Sequence, residues 1–174
     1  LGRQDEQGYF WLTGRKKELI IRGGHNIDPK QIEEALQTHP AVAMAAAVGS
    51  PDAHSGEVPV AYVQLRPDHE CSVEELEEYA QRHISERAAV PKRIEILEAL
   101  PLTAVGKIFK PALQQREVAR TVRQEVERMC LKDVVVEVIQ HERRGLVACI
   151  RAGREQESLA LLLGRYSFQV EWLN

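Results

Sequence analysis

The stretch Leu19-Ile-Ile-Arg-Gly-Gly-His-Asn-Ile-Asp-Pro29 carries the strongest local signals for the fold. It begins with β-rich residues, and the glycine pair then interrupts the strand. Asp28 suits the N-cap of a helix and Pro29 suits its first turn, so a helix is predicted to begin here. That helix ends at His39-Pro40, because proline disfavours helical backbone in the residue before it.

A charged turn at residues 14–18 precedes this stretch and separates two β-rich runs, residues 9–13 and 19–22. Two short strands joined by such a turn predict a small hairpin. Downstream, the apolar run 42–48 and residues 58–65 predict two longer strands. Ser72 with Glu75 forms a capping box for a second helix, and its face of Val73, Leu76, Ala80, His83 and Ile84 is predicted to be buried. A short strand follows around Ile94 and Ile96.

The last third of the chain predicts a charged helix followed by further strands and one more helix. The helix covers about residues 111–129 and is expected to direct Val118, Val122, Val126 and Met129 inward. The remaining elements are predicted as strands at 134–139, 146–150 and 167–173, with a helix at 155–163 before the last strand. The whole chain is therefore expected to be α+β: a small β-hairpin plus a mainly antiparallel sheet flanked by helices, with a β-β-α-β C-terminal extension.

Composition excludes several classes of function. The net charge is −3 and no long basic run occurs, which argues against a nucleic-acid binder. No apolar stretch approaches the roughly 20 residues of a membrane span. The three cysteines lack metal spacing and no signal peptide opens the chain, so a reducing, cytoplasmic location is expected. The first residue is Leu1, and we interpret this turn-like beginning as a fragment boundary.

A lysine follows a glycine in the segment Pro101-Leu-Thr-Ala-Val-Gly-Lys107. Such a lysine between a strand and a helix is usually a solvated loop residue. Its alternative role is a phosphate contact, since lysine places a compact charge on a flexible stem. The residues alone leave both interpretations open.

Together with the segment from Thr13 to Pro29, this loop resembles the mobile C-terminal domain of the AMP-forming acyl-CoA synthetases, which are adenylate-forming ligases. The resemblance covers residues 2–113. It implies that Lys107 bridges the substrate carboxylate and the α-phosphate of ATP during adenylation. It also implies that Arg15 contacts the nucleotide ribose, and that Lys17 is the hinge about which the domain swings between two half-reactions.

The resemblance further assigns the coenzyme A side of the reaction. Gly23 and Gly24 would line the channel for the pantetheine arm, and Lys92 would meet the CoA nucleotide phosphates. This chain departs from the family in two places. Phe109-Lys-Pro111 stands where an arginine often follows the lysine. Ala88-Ala-Val90 stands where some members carry basic or aromatic residues, so a differently built CoA site is expected here.

The implied domains are residues 1–117, the mobile domain with its hinge near 17, and residues 118–174, a helix plus a small α+β extension of no assigned role. ATP, Mg²⁺ and coenzyme A are implied as cofactors of the full-length enzyme, with none bound tightly by this part. The implied partners are the N-terminal adenylation domain of the same polypeptide, a carboxylic acid and CoA, and this part is expected to be inactive alone. The six histidines show no ligand spacing, so no metal site is expected. Two alternatives stay open: an adenylation domain that loads a carrier protein, and a non-enzymatic α+β interaction module.

Overall fold

A computed structural model describes residues 2–4, 6–12 and 18–173 of the 174-residue chain. The chain forms two compact units. The first consists of Leu1–Val48 with Pro59–Leu100, and the second consists of Gly49–Val58 with Pro101–Asn174. The functional boundary at 117/118 stays a prediction.

The described part of the chain up to residue 100 contains these strands and α-helices: β1 (Gly2–Gln4), β2 (Phe10–Leu12), β3 (Ile20–Arg22), β4 (His25–Ile27), α1 (Pro29–Gln37), β5 (Val42–Asp52), β6 (Gly56–Leu65), α2 (Val73–His83) and β7 (Ile94–Ile96). The main sheet has the order β4-β3-β6-β5, with β7 pairing in parallel with β6. Its strands and the two helices bury one core, which includes Ile20, Ile27, Ile32, Leu36, Val63 and Leu76.

Both predicted helix caps of the first unit are present. The Asp28 side chain accepts a hydrogen bond from the N–H of Lys30 at 3.0 Å. The Ser72 hydroxyl accepts one from the N–H of Glu75 at 3.1 Å. The prediction of a buried face is wrong for one residue. His83 is exposed, and its ring stacks on Tyr79 with the ring centroids 3.8 Å apart.

The predicted pairing of residues 9–13 with 19–22 is wrong. β2 pairs with β1 in a separate two-stranded sheet, whereas β3 forms a hairpin with β4. Gly23 and Gly24 are the two residues between Arg22 and its partner His25, and their φ angles are +53° and +89°. Two successive positive φ angles match the tight hairpin turn that glycine adopts most easily, so the glycine pair joins two strands instead of ending one.

The second unit contains the elements α3 (Lys110–Arg128), β8 (Val135–His141), β9 (Gly145–Arg151), α4 (Gln156–Leu163) and β10 (Gln169–Trp172). The sheet order is β10-β9-β8, with β8 antiparallel and β10 parallel to β9. A parallel pair needs a crossover, and α4 provides it. The predicted β-β-α-β extension and the α+β class are therefore confirmed.

Helix α3 buries more than the predicted apolar face. Val118 and Val122 are buried as expected, but so are the polar residues Glu117, Thr121 and Glu125. The Glu125 carboxylate accepts a hydrogen bond from the Tyr166 hydroxyl at 2.6 Å. Burial, and then this hydrogen bond, raises the pKa of Tyr166 to about 12. Tyr166 therefore stays protonated at neutral pH and remains a donor to the buried carboxylate.

The backbone is strained at Cys130, two residues after the end of helix α3, which leads to a testable prediction. Cys130 has a φ of +54°, and the N–H of Leu131 donates to the carbonyl of Val126 at 3.0 Å. This left-handed position after a helix is the one that glycine favours. We expect Cys130→Gly to raise the free energy of unfolding by about 0.5–1 kcal/mol, measured by urea denaturation. Cys130→Ala removes the same thiol but keeps the strain, so an equal gain in both variants would contradict the backbone explanation.

Candidate functional site

The segment around Lys107 forms a closed loop in the second unit. Leu102 and Ile108 make an isolated antiparallel bridge. Next to it, the N–H of Phe109 donates to the carbonyl of Pro101 at 2.7 Å. The loop therefore has a narrow base from which residues 103–107 project.

Thr103 holds the projecting part of this loop. Its N–H donates to the carbonyl of Lys107 at 2.7 Å, and its carbonyl accepts from the N–H of Gly106 at 2.9 Å. Its hydroxyl oxygen Oγ1 accepts from the N–H of Lys107 at 3.2 Å. Gly106 has a φ of +76°, a conformation that is favourable for glycine and unfavourable for residues with a β-carbon. The backbone at Lys107 is thus fixed within the loop itself.

Three apolar residues close to Lys107 in the sequence have exposed side chains. Lys107 itself is exposed. Leu102, Val105 and Phe109 are 47%, 78% and 44% exposed. Exposed apolar side chains that lie close together on a loop are typical of a surface that contacts another molecule or domain.

The glycine turn lies in the first unit beside residues 86–89. The Arg22 guanidinium donates to the carbonyl of Ala88 at 2.7 Å, and Gln31 donates to the Glu86 carboxylate at 3.0 Å. A β-carbon added at Gly23 or Gly24 would meet no described atom within 4 Å. The positive φ angles therefore explain the glycines in this structure, and the space above the turn is open.

The other predicted site residues are placed as follows. Lys92 is exposed in the first unit, and its N–H donates to the carbonyl of Pro59 at 2.8 Å. Arg15 and Lys17 lie outside the described residues. The two glycines and Lys92 thus belong to one compact unit and Lys107 to the other.

One cluster of potential metal ligands escaped the sequence analysis. In the described part of the chain, ligand atoms of His39, Cys71 and Glu75 lie within 4.8 Å of one another. No sequence spacing indicated it, because His39 precedes the other two by two strands. Burial, and then the hydrogen bond and negative charge of the Glu75 carboxylate, together raise the pKa of the Cys71 thiol to about 11.

The hydrogen bonds of His39 do not suit a metal ligand. Its Nδ1 accepts from the N–H of Ala41 at 3.2 Å, so the proton of the neutral ring belongs on Nε2. Nε2 lies 3.5 Å from Glu75 Oε1, so a proton on Nε2 faces the Glu75 carboxylate. A metal ion binds a ring nitrogen through its lone pair, and Nε2 has no free lone pair in the tautomer that carries the proton there. The cluster is better explained as a buried histidine with both ring nitrogens engaged.

The comparisons with known proteins agree with this fold. The family model described as the AMP-binding enzyme C-terminal domain matches residues 31–107, and the match ends at Lys107. Residues 31–107 belong to this family.

Two curated relatives illustrate the extent of the similarity. Marinolic acid–CoA ligase from Pseudoalteromonas sp. (strain SANK 73390) is 42% identical over 175 residues, covering 100% of this chain and 27% of that protein. Long-chain-fatty-acid–CoA ligase from Bacillus subtilis (strain 168) is 40% identical over 117 residues, covering 67% of this chain and 21% of that protein. The chain thus spans about a quarter of the length of these relatives. The first of them matches the extension as well as the AMP-binding C-terminal domain.

Solved structures show the same relationship. Mycobacterium tuberculosis fatty acyl CoA synthetase aligns with a TM-score of 0.58 and 34% identity, covering 68% of this chain and 23% of that one. o-Succinylbenzoate CoA synthetase from Bacillus subtilis, in complex with its acyl-adenylate intermediate, aligns with a TM-score of 0.59 and 34% identity, covering 65% and 23%. Among the described residues, none of the helices combines the length and the apolar character needed to cross a membrane.

Proposed function

We propose that this chain is the C-terminal lid domain of an ATP-dependent, AMP-forming carboxylic acid–CoA ligase, and that Lys107 is its adenylation lysine. The observation that carries the proposal is the closed, exposed loop that presents Lys107 at the end of the family match. The relatives are three to four times longer than this chain, and they are named CoA ligases. A larger N-terminal domain of the same polypeptide is therefore the proposed partner of the lid.

The chemistry of Lys107 follows from its charge. When a carboxylate attacks the α-phosphate of ATP, negative charge develops on the phosphate oxygens. A lysine ammonium held between the carboxylate and that phosphate stabilises the charge where it forms. The apolar neighbours Leu102, Val105 and Phe109 would pack against the walls of the adenylation site and exclude water, which strengthens the interaction.

The second half-reaction is proposed to use the first unit. After rotation about Lys17, the open glycine turn at Gly23 and Gly24 would line the path of the pantetheine arm, where absent side chains leave room for a thin chain. Lys92 is exposed and available for the CoA nucleotide phosphates. Arg15 is proposed to contact the nucleotide ribose.

The cofactors of the complete enzyme are proposed to be ATP, Mg²⁺ and coenzyme A, and its location the cytoplasm. Mg²⁺ would arrive with ATP and be held mostly by the phosphates, so no residue of this chain is assigned to it. The chain alone is proposed to be inactive, because the phosphate-binding loop and acyl pocket of such ligases lie in the N-terminal domain. A purified chain that formed AMP and acyl-CoA from ATP, an acid and CoA would overturn this.

The proposal is tested by acid-dependent ATP–pyrophosphate exchange. The assay uses the complete polypeptide with a panel of carboxylic acids, followed by AMP release with CoA or a carrier-protein thiol as acceptor. We expect exchange with at least one acid, and thioester formation with CoA. Transfer to the carrier thiol alone would favour the carrier-loading alternative. Absence of exchange with every acid would favour the non-enzymatic module.

A further inference from the structure

We infer that Thr103 is a positioning residue for Lys107, and that its hydroxyl sets the rate of adenylation by holding the loop in the reactive shape. This inference rests on the proposed role of Lys107. It adds to that role a residue whose side chain touches neither substrate nor cofactor and acts through the lysine.

Both backbone polar groups of Lys107, its N–H and its carbonyl, form hydrogen bonds with the same residue, Thr103. The Lys107 carbonyl accepts from the Thr103 N–H at 2.7 Å, and the Lys107 N–H donates to Thr103 Oγ1 at 3.2 Å. The chain direction at Lys107 is therefore set from both sides of its Cα. The side chain of lysine is long and flexible, so this backbone anchor is the rigid point from which the ammonium reaches.

Only one of these contacts depends on the identity of the side chain. Any residue except proline keeps the backbone N–H and carbonyl at position 103, but the acceptor for the Lys107 N–H comes from the hydroxyl. Serine and threonine hydroxyls commonly bond to backbone groups a few residues away and so replace a backbone turn contact. Valine has nearly the same shape and β-branching as threonine and lacks that acceptor.

Loss of the hydroxyl is expected to affect catalysis more than binding. The loop would keep its base between Pro101 and Phe109, but Lys107 would sample more directions. Misplacing a catalytic group by about 1 Å can cost about 100-fold in rate. We expect Thr103→Val to lower kcat for adenylation by roughly 10- to 100-fold, with little change in KM for ATP.

The experiment uses the complete polypeptide and compares Thr103→Val, Thr103→Ser and a control. Thr38→Val is the control, because the Thr38 hydroxyl also bonds to a nearby backbone group, in this case as the donor to the carbonyl of Ala35 at 2.6 Å, and lies in the other unit. We expect exchange to fall in Thr103→Val, to recover in Thr103→Ser, and to stay at the wild-type rate in Thr38→Val. Thioester formation from supplied acyl-adenylate should be retained in all three, which shows that the valine variant is folded.

A double-mutant cycle separates positioning from general loop stability. If Thr103 acts through Lys107, Thr103→Val should cause no further loss in a Lys107→Ala background. Full additivity of the two losses, or wild-type exchange in Thr103→Val, would overturn the inference. Exchange that is unaffected by Lys107→Ala alone would instead overturn the proposed function, so the two failures are distinguishable.

Discussion

Lys107→Ala in the complete polypeptide is expected to lower acyl-adenylate formation by about 100- to 1000-fold, which corresponds to about 3–4 kcal/mol of lost transition-state stabilisation. The alanine removes the cation that faces the developing phosphate charge. The fold should persist, because Lys107 is exposed and the loop is closed by backbone hydrogen bonds that alanine keeps. The measurement is acid-dependent ATP–pyrophosphate exchange.

Measuring the two half-reactions separately distinguishes a loss of adenylation from a general loss of activity. Thioester formation from supplied acyl-adenylate and CoA should change far less, because that step follows the phosphate chemistry. Lys30→Ala removes another exposed lysine, on the surface of α1, and should leave both steps unchanged. Lys107→Arg keeps the charge in a planar, forked form and should recover little activity, since the geometry differs. Exchange at the wild-type rate in Lys107→Ala would mean that the glycine–lysine loop is not catalytic.

Local signals predicted much of the fold. The caps at Asp28 and Ser72 were predictable because each involves a side chain and a backbone N–H only two or three residues away. The two-residue alternation in the last strand and the 3.6-residue periodicity of α3 were likewise sufficient to place those elements. Their bounds agree with the structure to within two residues.

Non-local pairing was harder to predict. β2 finds its partner in β1, and this choice depends on which strands meet in space rather than on the turn between β2 and β3. The burial of Glu117, Thr121 and Glu125 also has no sequence signal, because polar residues four apart on a helix normally indicate a solvated face. Glu125 is buried where Tyr166, distant in sequence, supplies a hydroxyl donor.

The candidate site also contains one residue that could be predicted from the sequence and one that could not. Lys107 is identifiable from the residues that flank it and from the family resemblance. Thr103 is not, because its role depends on a loop geometry in which the residue four positions ahead of the lysine folds back to reach its backbone. A hydroxyl residue near a glycine turn is a common feature, and the N–H that donates to it depends on the three-dimensional shape of the loop.

The second large effect is expected at Lys17. We expect Lys17→Pro to leave adenylation near the wild-type rate and to lower thioester formation on the order of 100-fold. A hinge absorbs a domain rotation by changing a few backbone torsions, and proline fixes φ near −65°. The position of Lys17 in the sequence supports a hinge there, since it falls between β2 and β3, which belong to different sheets.

The experiment measures both half-reactions in the complete polypeptide, with exchange for adenylation and CoA-dependent AMP release from supplied acyl-adenylate for transfer. Lys17→Ala is the matched control, because it removes the same charge and leaves the backbone free to rotate. A selective loss of transfer in the proline variant, absent from the alanine variant, would support rotation at this residue. Equal loss of both steps in the proline variant would indicate local unfolding, and equal loss of transfer in both variants would assign the effect to the lysine charge.

Because Lys107→Ala should block the first step and Lys17→Pro the second, a mixture of the two variants should form acyl-CoA only when the adenylate made by one is released and bound by the other.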